Sequence, residues 1–506
     1  MRRTFVLFAT LVVAGSTPGD AQTRPEPLTG LDAYVSRVLD DWRAPGIAVA
    51  VVKDDEVVVA KGYGVRTVGG NVAVDEHTLF AIASTSKAFT AAAVAMLVDA
   101  GRLGWDDRVT DYLPGFRLSD AYASQELRVR DLLSHRSGLP RGDRLWYASP
   151  FDRTEVLRRV RLLEPASSFR SRYGYQNIMF VAAGELIAAV TDTSWDEFLS
   201  RRIFQPLGME RTRTTIRGLE DLGNLATPHG LIDGDVVAIP WRNFDNVGGA
   251  GSIVSSAADM AQWIRLQLGE GEYEGHRLLS DSVVREMRTA QTAIPNSEDH
   301  ARVFPETHLQ AYGLGWFLQD YRGHLVVRHS GSLDGMRTQV ILVPERELGV
   351  VVFTNVAESR VPQAVAWHVV DRYLGPREKD WNAVLLAEAE RGRAEADSAR
   401  ARREAARLAG TEPTHPPAEL AGRYSSLLYG TAVVEVRGDR LELSIGPSYT
   451  GHLEHWQLNT FRAVWDDRYL GTDWVSFRLD RMSRVAELDV QGFGTFARAS
   501  ESESPR

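Results

Sequence analysis

The 506-residue chain contains no cysteine. That excludes disulfides, a thiolate nucleophile, a thiolate-bound metal and anchoring through a lipid-modified cysteine. Lysine is nearly missing as well: among 58 basic residues, only Lys53, Lys61, Lys87 and Lys379 are lysines. Arginine stays charged at any relevant pH, whereas a desolvated lysine can lose its proton and serve as a base, so a lysine beside a nucleophile stands out in such a chain. An excess of positive charge is missing too. The net charge of -9 argues against nucleic acid as the main partner. After the N-terminal segment no stretch approaches the roughly 20 apolar residues that a spanning helix needs, so no stable membrane anchor is expected.

What is present begins with a secretory signal over residues 1–21: Arg2 and Arg3, the apolar run Phe5–Ala14, and Gly19-Asp20-Ala21 as a small-residue cleavage site. The expectation is an exported protein, periplasmic or extracellular, with the export route left open. Leu28, Leu31, Val35, Val38 and Trp42 recur at helical spacing, and the spacing predicts a helix over 28–43. The runs 46–52 and 56–60 then read as a buried hairpin, and 86–102 as a helix apolar nearly all round. From about 105 to 240 short helices and loops predict a helical subdomain, after which strands resume at 324–328, 338–343 and 348–353, followed by a helix over 361–374. The fold class is α+β: an antiparallel sheet flanked by helices plus a helical subdomain, over 28–375. Residues 376–412 form a charged helical linker, with Glu390/Arg393, Asp397/Arg400 and Glu404/Arg407 at i,i+3 spacing. Over 413–500 the periodicity changes to two, predicting a small all-β barrel with Tyr424, Trp456, Phe461, Trp465 and Phe477 in its core.

Three short patterns carry chemistry. Ser84 and Lys87 form S-x-x-K at the start of the apolar helix, where residues three apart share a face and the amine can take the hydroxyl proton. Tyr175 and Asn177 form Y-x-N; a tyrosine can relay that proton to a leaving group, and an amide two residues on can orient the lysine or the substrate. His329-Ser330-Gly331 lies at a strand edge, where backbone N–H groups can cradle an oxyanion and glycine permits close approach. His135, in 132–140, reads as structural.

In this order, at spacings of about 90 and about 150 residues, the three patterns resemble the serine β-lactamase and penicillin-binding superfamily, in its class C, CubicO-like branch. The phrases IASTSKAFTA, LLSHRSGLP, YGYQN, VGGAGSIVSSAADMAQW and AYGLGW carry the resemblance, and the tail resembles a lipocalin-like domain. The resemblance implies Ser84 as acylated nucleophile, Lys87 as its base and Tyr175 as second proton carrier. It makes Asn177, His329 and Gly331 substrate-binding, and the backbone N–H groups of Ser84 and Ser332 the oxyanion hole. His329 stands where many relatives have lysine, and a mostly neutral imidazole attracts a substrate carboxylate less. The expectation is a secreted serine hydrolase acting on small esters, amides or peptides, with no metal or organic cofactor and with self-association left open. A β-lactamase or D,D-carboxypeptidase is the enzymatic alternative. A penicillin- or peptidoglycan-binding module without turnover is the non-enzymatic one.

Overall fold

Three buried runs, the apolar Gly46–Lys53 and Leu348–Thr354 and, between the latter and the next strand, Met336–Val343 with Val340–Val343 as its apolar half, are adjacent strands at the heart of an eight-stranded antiparallel sheet. The computed structural model describes residues 27–357, 359–375 and 379–499, so the signal segment expected over 1–21 lies outside the described residues. The sheet runs in the order Glu56–Gly64, Gly46–Lys53, Leu348–Thr354, Met336–Val343, His324–Leu333, Phe317–Tyr321, Gln310–Tyr312, Thr292–Ile294. The strand pairing Val49 with Val352 joins the first hairpin to the last strand of the domain.

Strand residues alternate between faces, and this divides the apolar runs between two cores. Ile47, Val49 and Val51 face the helices Leu31–Trp42 and Val361–Leu374. Ala48, Ala50 and Val52 face the opposite layer, which contains the helix Ser86–Asp99. That helix is buried on every side from Ser86 to Leu97, with Phe89 stacked on Trp263 at 3.9 Å and edge-on to Phe204 at 5.8 Å. The region 105–240 supplies the short helices expected, together with the buried helix Asn177–Thr191 and a small hairpin, His229–Ile232 with Asp235–Ala238. Three strands between 292 and 321 escape the sequence pattern. Two of them have only three residues, too few to show a period.

The connector helix Trp381–Ala405 carries ion pairs Asp397–Arg400 and Glu404–Arg407, while Glu388 reaches Arg302 and Arg391. Eight strands between Gly422 and Arg498 then close a barrel, sealed where Tyr424 and Ser425 pair with Arg498 and Ala497. Tyr424, Phe461, Trp465 and Phe477 fill it as expected. Trp456 does not: it packs outside, on Trp474 at 4.9 Å and under the Arg407 guanidinium at 4.6 Å. Its carbonyl accepts from Arg407, so this tryptophan ties the connector to the barrel wall. Among the described residues no single helix is long and apolar enough to cross a membrane.

Because Phe89 holds the buried helix against Trp263 and Phe204, Phe89→Ala is expected to lower unfolding stability by about 3–5 kcal/mol. Urea denaturation followed by tryptophan fluorescence measures it, and a loss under about 1 kcal/mol would place the helix outside the cooperative core.

Candidate active site

From Thr78 to Leu97 every residue is buried except Ser84. Ser84 sits in a single 3-10 turn, Ala83–Thr85, that runs directly into the helix Ser86–Asp99. The turn is held by the Thr85 hydroxyl on the Ile82 carbonyl at 2.6 Å, and Ala83 has φ 51°, in the left-handed region that non-glycine residues avoid. Such a conformation costs about 1–3 kcal/mol and persists where the surroundings enforce it. Here the surroundings include Gly331: a Cβ on that residue would stand 2.2 Å from the Ile82 carbonyl oxygen. The absence of a side chain thus lets the strand His324–Leu333 lie against the turn, with Gly331 over Ile82 and Ala83, directly before Ser84.

The Lys87 amine makes three hydrogen bonds, to Ser84 Oγ at 3.0 Å, Asn177 Oδ1 at 2.8 Å and the Ala250 carbonyl at 2.8 Å. All three acceptors are uncharged. Burial, assisted by the nearby Arg141 cation, drives its pKa well below the ordinary 10.5, and Asp143 offsets only part of that. Burial thus favours the neutral form of the amine, in which the nitrogen can accept the Ser84 proton. The Tyr175 hydroxyl is hydrogen-bonded to Ser84, and burial raises its pKa, so the phenol keeps its proton. Lys87 Nζ also lies 4.9 Å from the Tyr175 ring centroid. Serine, lysine and tyrosine, predicted together, do come together around the Ser84 hydroxyl.

The remaining predicted residues are placed more deeply than a substrate contact requires. Asn177 is 5% exposed. One end of its amide accepts from Lys87 and the other donates to Asp143 Oδ1 at 3.0 Å, so it positions the lysine. His329 is 1% exposed. Its Nδ1–H donates to the Ser330 carbonyl at 2.8 Å and its Nε2 accepts from the Tyr312 hydroxyl at 2.9 Å. Burial and the neighbouring Lys87 push its pKa down to about 3, leaving a neutral ring that supports the strand from behind. His135, expected to be structural, is fully buried against Tyr175 with ring centroids 4.2 Å apart, and its Nδ1 accepts from the Gln176 N–H.

Sequence reasoning missed Arg141 and Asp143, which follow LLSHRSGLP directly. Asp143 accepts from Asn177, from Trp146 Nε1 at 3.0 Å and from Arg141 Nε at 2.7 Å, and the Arg141 guanidinium stands 5.0 Å from the Tyr175 ring centroid. It also missed the Ala250 carbonyl, since a backbone acceptor leaves no residue-type signal. Among the described residues no group of His, Asp and Glu is arranged to hold a metal ion.

Two outcomes follow from this geometry. Arg141→Gln removes a cation that depresses Lys87, so the acid limb of Ser84 labelling by a fluorophosphonate moves to higher pH. The shift should stay under about one pH unit, because the arginine is solvent-screened. Gly331→Ala forces the strand off the Ile82 carbonyl and should slow labelling at least about 100-fold, the scale of losing one oxyanion donor. Labelling rates across pH measure both, and an unmoved limb or an unchanged rate would contradict them.

The chain is similar to known proteins over most of its length. The family model Beta-lactamase matches residues 31–374, and a domain of unknown function, DUF3471, matches 406–503. An unguisins hydrolase of Aspergillus violaceofuscus is 31% identical over 366 residues, covering 67% of this chain and 63% of that protein. Protein flp of Staphylococcus aureus is 26% identical, covering 66% and 64%. The chain thus spans just under two thirds of the length of these relatives. The octameric penicillin-binding protein homologue from Pyrococcus abyssi shares the fold with a TM-score of 0.63 at 22% identity, over 92% of this chain and 98% of that one. With the family model covering most of the chain, the protein belongs to the beta-lactamase family of serine β-lactamases and penicillin-binding proteins.

Proposed function

We propose that this protein is an exported serine hydrolase that works through a Ser84 acyl-enzyme on esters or on amides of small peptides and D-amino acids. The observation that carries the reading is the buried Lys87 amine, its pKa lowered by burial, 3.0 Å from the one side chain of Thr78–Leu97 that is not buried, with Tyr175 on the same hydroxyl. Ser84 Oγ attacks the substrate carbonyl while Lys87 takes its proton. The backbone N–H groups of Ser84 and Ser332 hold the oxyanion that forms. As the tetrahedral intermediate collapses, the C–O or C–N bond breaks and the leaving group takes a proton through Tyr175, whose phenol is refilled from the Lys87 ammonium. Water then attacks the acyl ester with the same base, the Ser84–acyl bond breaks, and the acid and free serine are restored.

Substrate choice follows from His329. A buried neutral imidazole gives the strand no permanent charge for a carboxylate, which supports neutral esters and amides over β-lactams and peptide C-termini. The name of the unguisins hydrolase supports a hydrolytic role at 31% identity. Self-association belongs to the same reading, since the Pyrococcus abyssi homologue is described as octameric.

Ser84→Ala is expected to abolish both p-nitrophenyl acetate turnover and fluorophosphonate labelling, a fall of at least about 10³-fold in kcat. Turnover that survives this substitution would contradict the assignment. Assayed side by side with nitrocefin, the unmodified enzyme should favour the ester, whereas efficient nitrocefin hydrolysis would return the β-lactamase alternative. An adduct that persists without product would instead return the binding-module reading.

A further inference from the structure

A cavity of about 580 Å³ lies between the catalytic domain and the barrel. Its inner wall is built by Arg141 and Asp143, the two residues that touch Tyr175 and Asn177. Trp146 and Leu163 continue that wall, and Tyr429, Tyr469 and Leu470 close it from the barrel. Pockets that take small organic groups run from about 300 to 1,000 Å³.

The charged groups around it are already engaged with one another. Asp143 is taken up by Asn177, Trp146 and Arg141, and Arg144 by Asp473 at 3.0 Å. What remains on offer is mainly aromatic and aliphatic surface, with the outer edge of the Arg141 guanidinium beside it. The barrel side of the wall is also fixed in place. Arg242 bridges Asp334 of the catalytic domain and Asp467 of the barrel at 2.7 Å each, and the Tyr147 hydroxyl donates to Asp334 at 2.8 Å. The Gly335 N–H donates to the Tyr469 hydroxyl at 3.3 Å. Tyr429 sits on the hairpin tip between Gly422–Ser426 and Gly430–Arg437, where Arg159 donates to the Leu427 and Leu428 carbonyls at 2.7 and 3.0 Å.

Resting on the Ser84 acyl-enzyme reading, we propose that this cavity receives an aromatic or branched apolar group of the substrate, and that the C-terminal barrel, through Tyr429, Tyr469 and Leu470, is the specificity-determining half of the subsite. A substrate lacking such a group leaves the barrel residues untouched. One that carries it gains their contact in addition to the chemistry at Ser84.

The test is the ratio of kcat/KM for p-nitrophenyl phenylacetate to that for p-nitrophenyl acetate, in the full-length enzyme and in variants whose fold is checked by near-UV circular dichroism. Tyr429→Ala should lower the ratio at least about tenfold, the scale of losing a well-packed apolar contact. Leu470→Trp, which fills the cavity from the barrel side, should lower it as well and decides the matter if Tyr429→Ala does not fold. Tyr429→Phe should preserve it. Ratios unchanged in Tyr429→Ala and Leu470→Trp overturn the proposal. Ser84→Ala in the same series separates the two claims: turnover that survives it contradicts the underlying hydrolase reading, whatever the ratios show.

Discussion

Everything at the site depends on one amine buried without a countercharge in contact with it. Lys87 meets a serine hydroxyl, a side-chain amide oxygen and a backbone carbonyl, none of which repays the desolvation of an ammonium. Burial therefore pushes the pKa of the group well below its ordinary value and favours the neutral amine. The sign of the consequence for stability is definite. Between its lowered pKa and the ordinary 10.5, the unfolded chain holds a proton on Lys87 that the folded chain does not. This group's contribution to folding stability therefore rises with pH across that window and is least favourable below it. The reactive lysine is a stability cost carried by the two cores on either side of the sheet.

The geometry around that amine is imposed by packing that is continuous with the rest of the domain. The helix bearing Lys87 is buried on every side, so it cannot shift to relieve the amine. Gly331 allows the strand to touch the Ile82 carbonyl, and the same strand ends at the Leu333–Asp334–Gly335 turn that the barrel clamps through Arg242 and Tyr469. The Ser84 turn, the strand His324–Leu333 and the C-terminal domain are thus one mechanical chain, which gives the barrel a reason to accompany the larger domain.

The sequence makes most of this legible where a residue type is itself the signal. An arginine-rich chain with four lysines exposes Lys87 by contrast; apolar runs mark the sheet centre and the buried helix, helical spacing marks Leu31–Trp42, and a period of two marks the barrel. Legibility stops where geometry replaces identity. The three-residue strands at 292–294 and 310–312 are too short for a period. Trp456 has the composition of a core residue and the position of a clasp. Asp143, Arg141 and the Ala250 carbonyl act through distances that no spacing announces. His329 and Asn177 match their motifs, but the motifs do not announce their buried partners, Tyr312 for the one and Lys87 and Asp143 for the other.

With only four lysines in the chain, the protonation state of Lys87 can be observed directly. In a protein carrying ¹⁵N-lysine, the Nζ resonance that disappears in Lys87→Met is the one to titrate. The account predicts that it changes charge state at a pH well below the ordinary lysine value of 10.5. A resonance that titrates at or above that value would mean the amine is charged when Ser84 must be deprotonated, and would contradict the account at its centre.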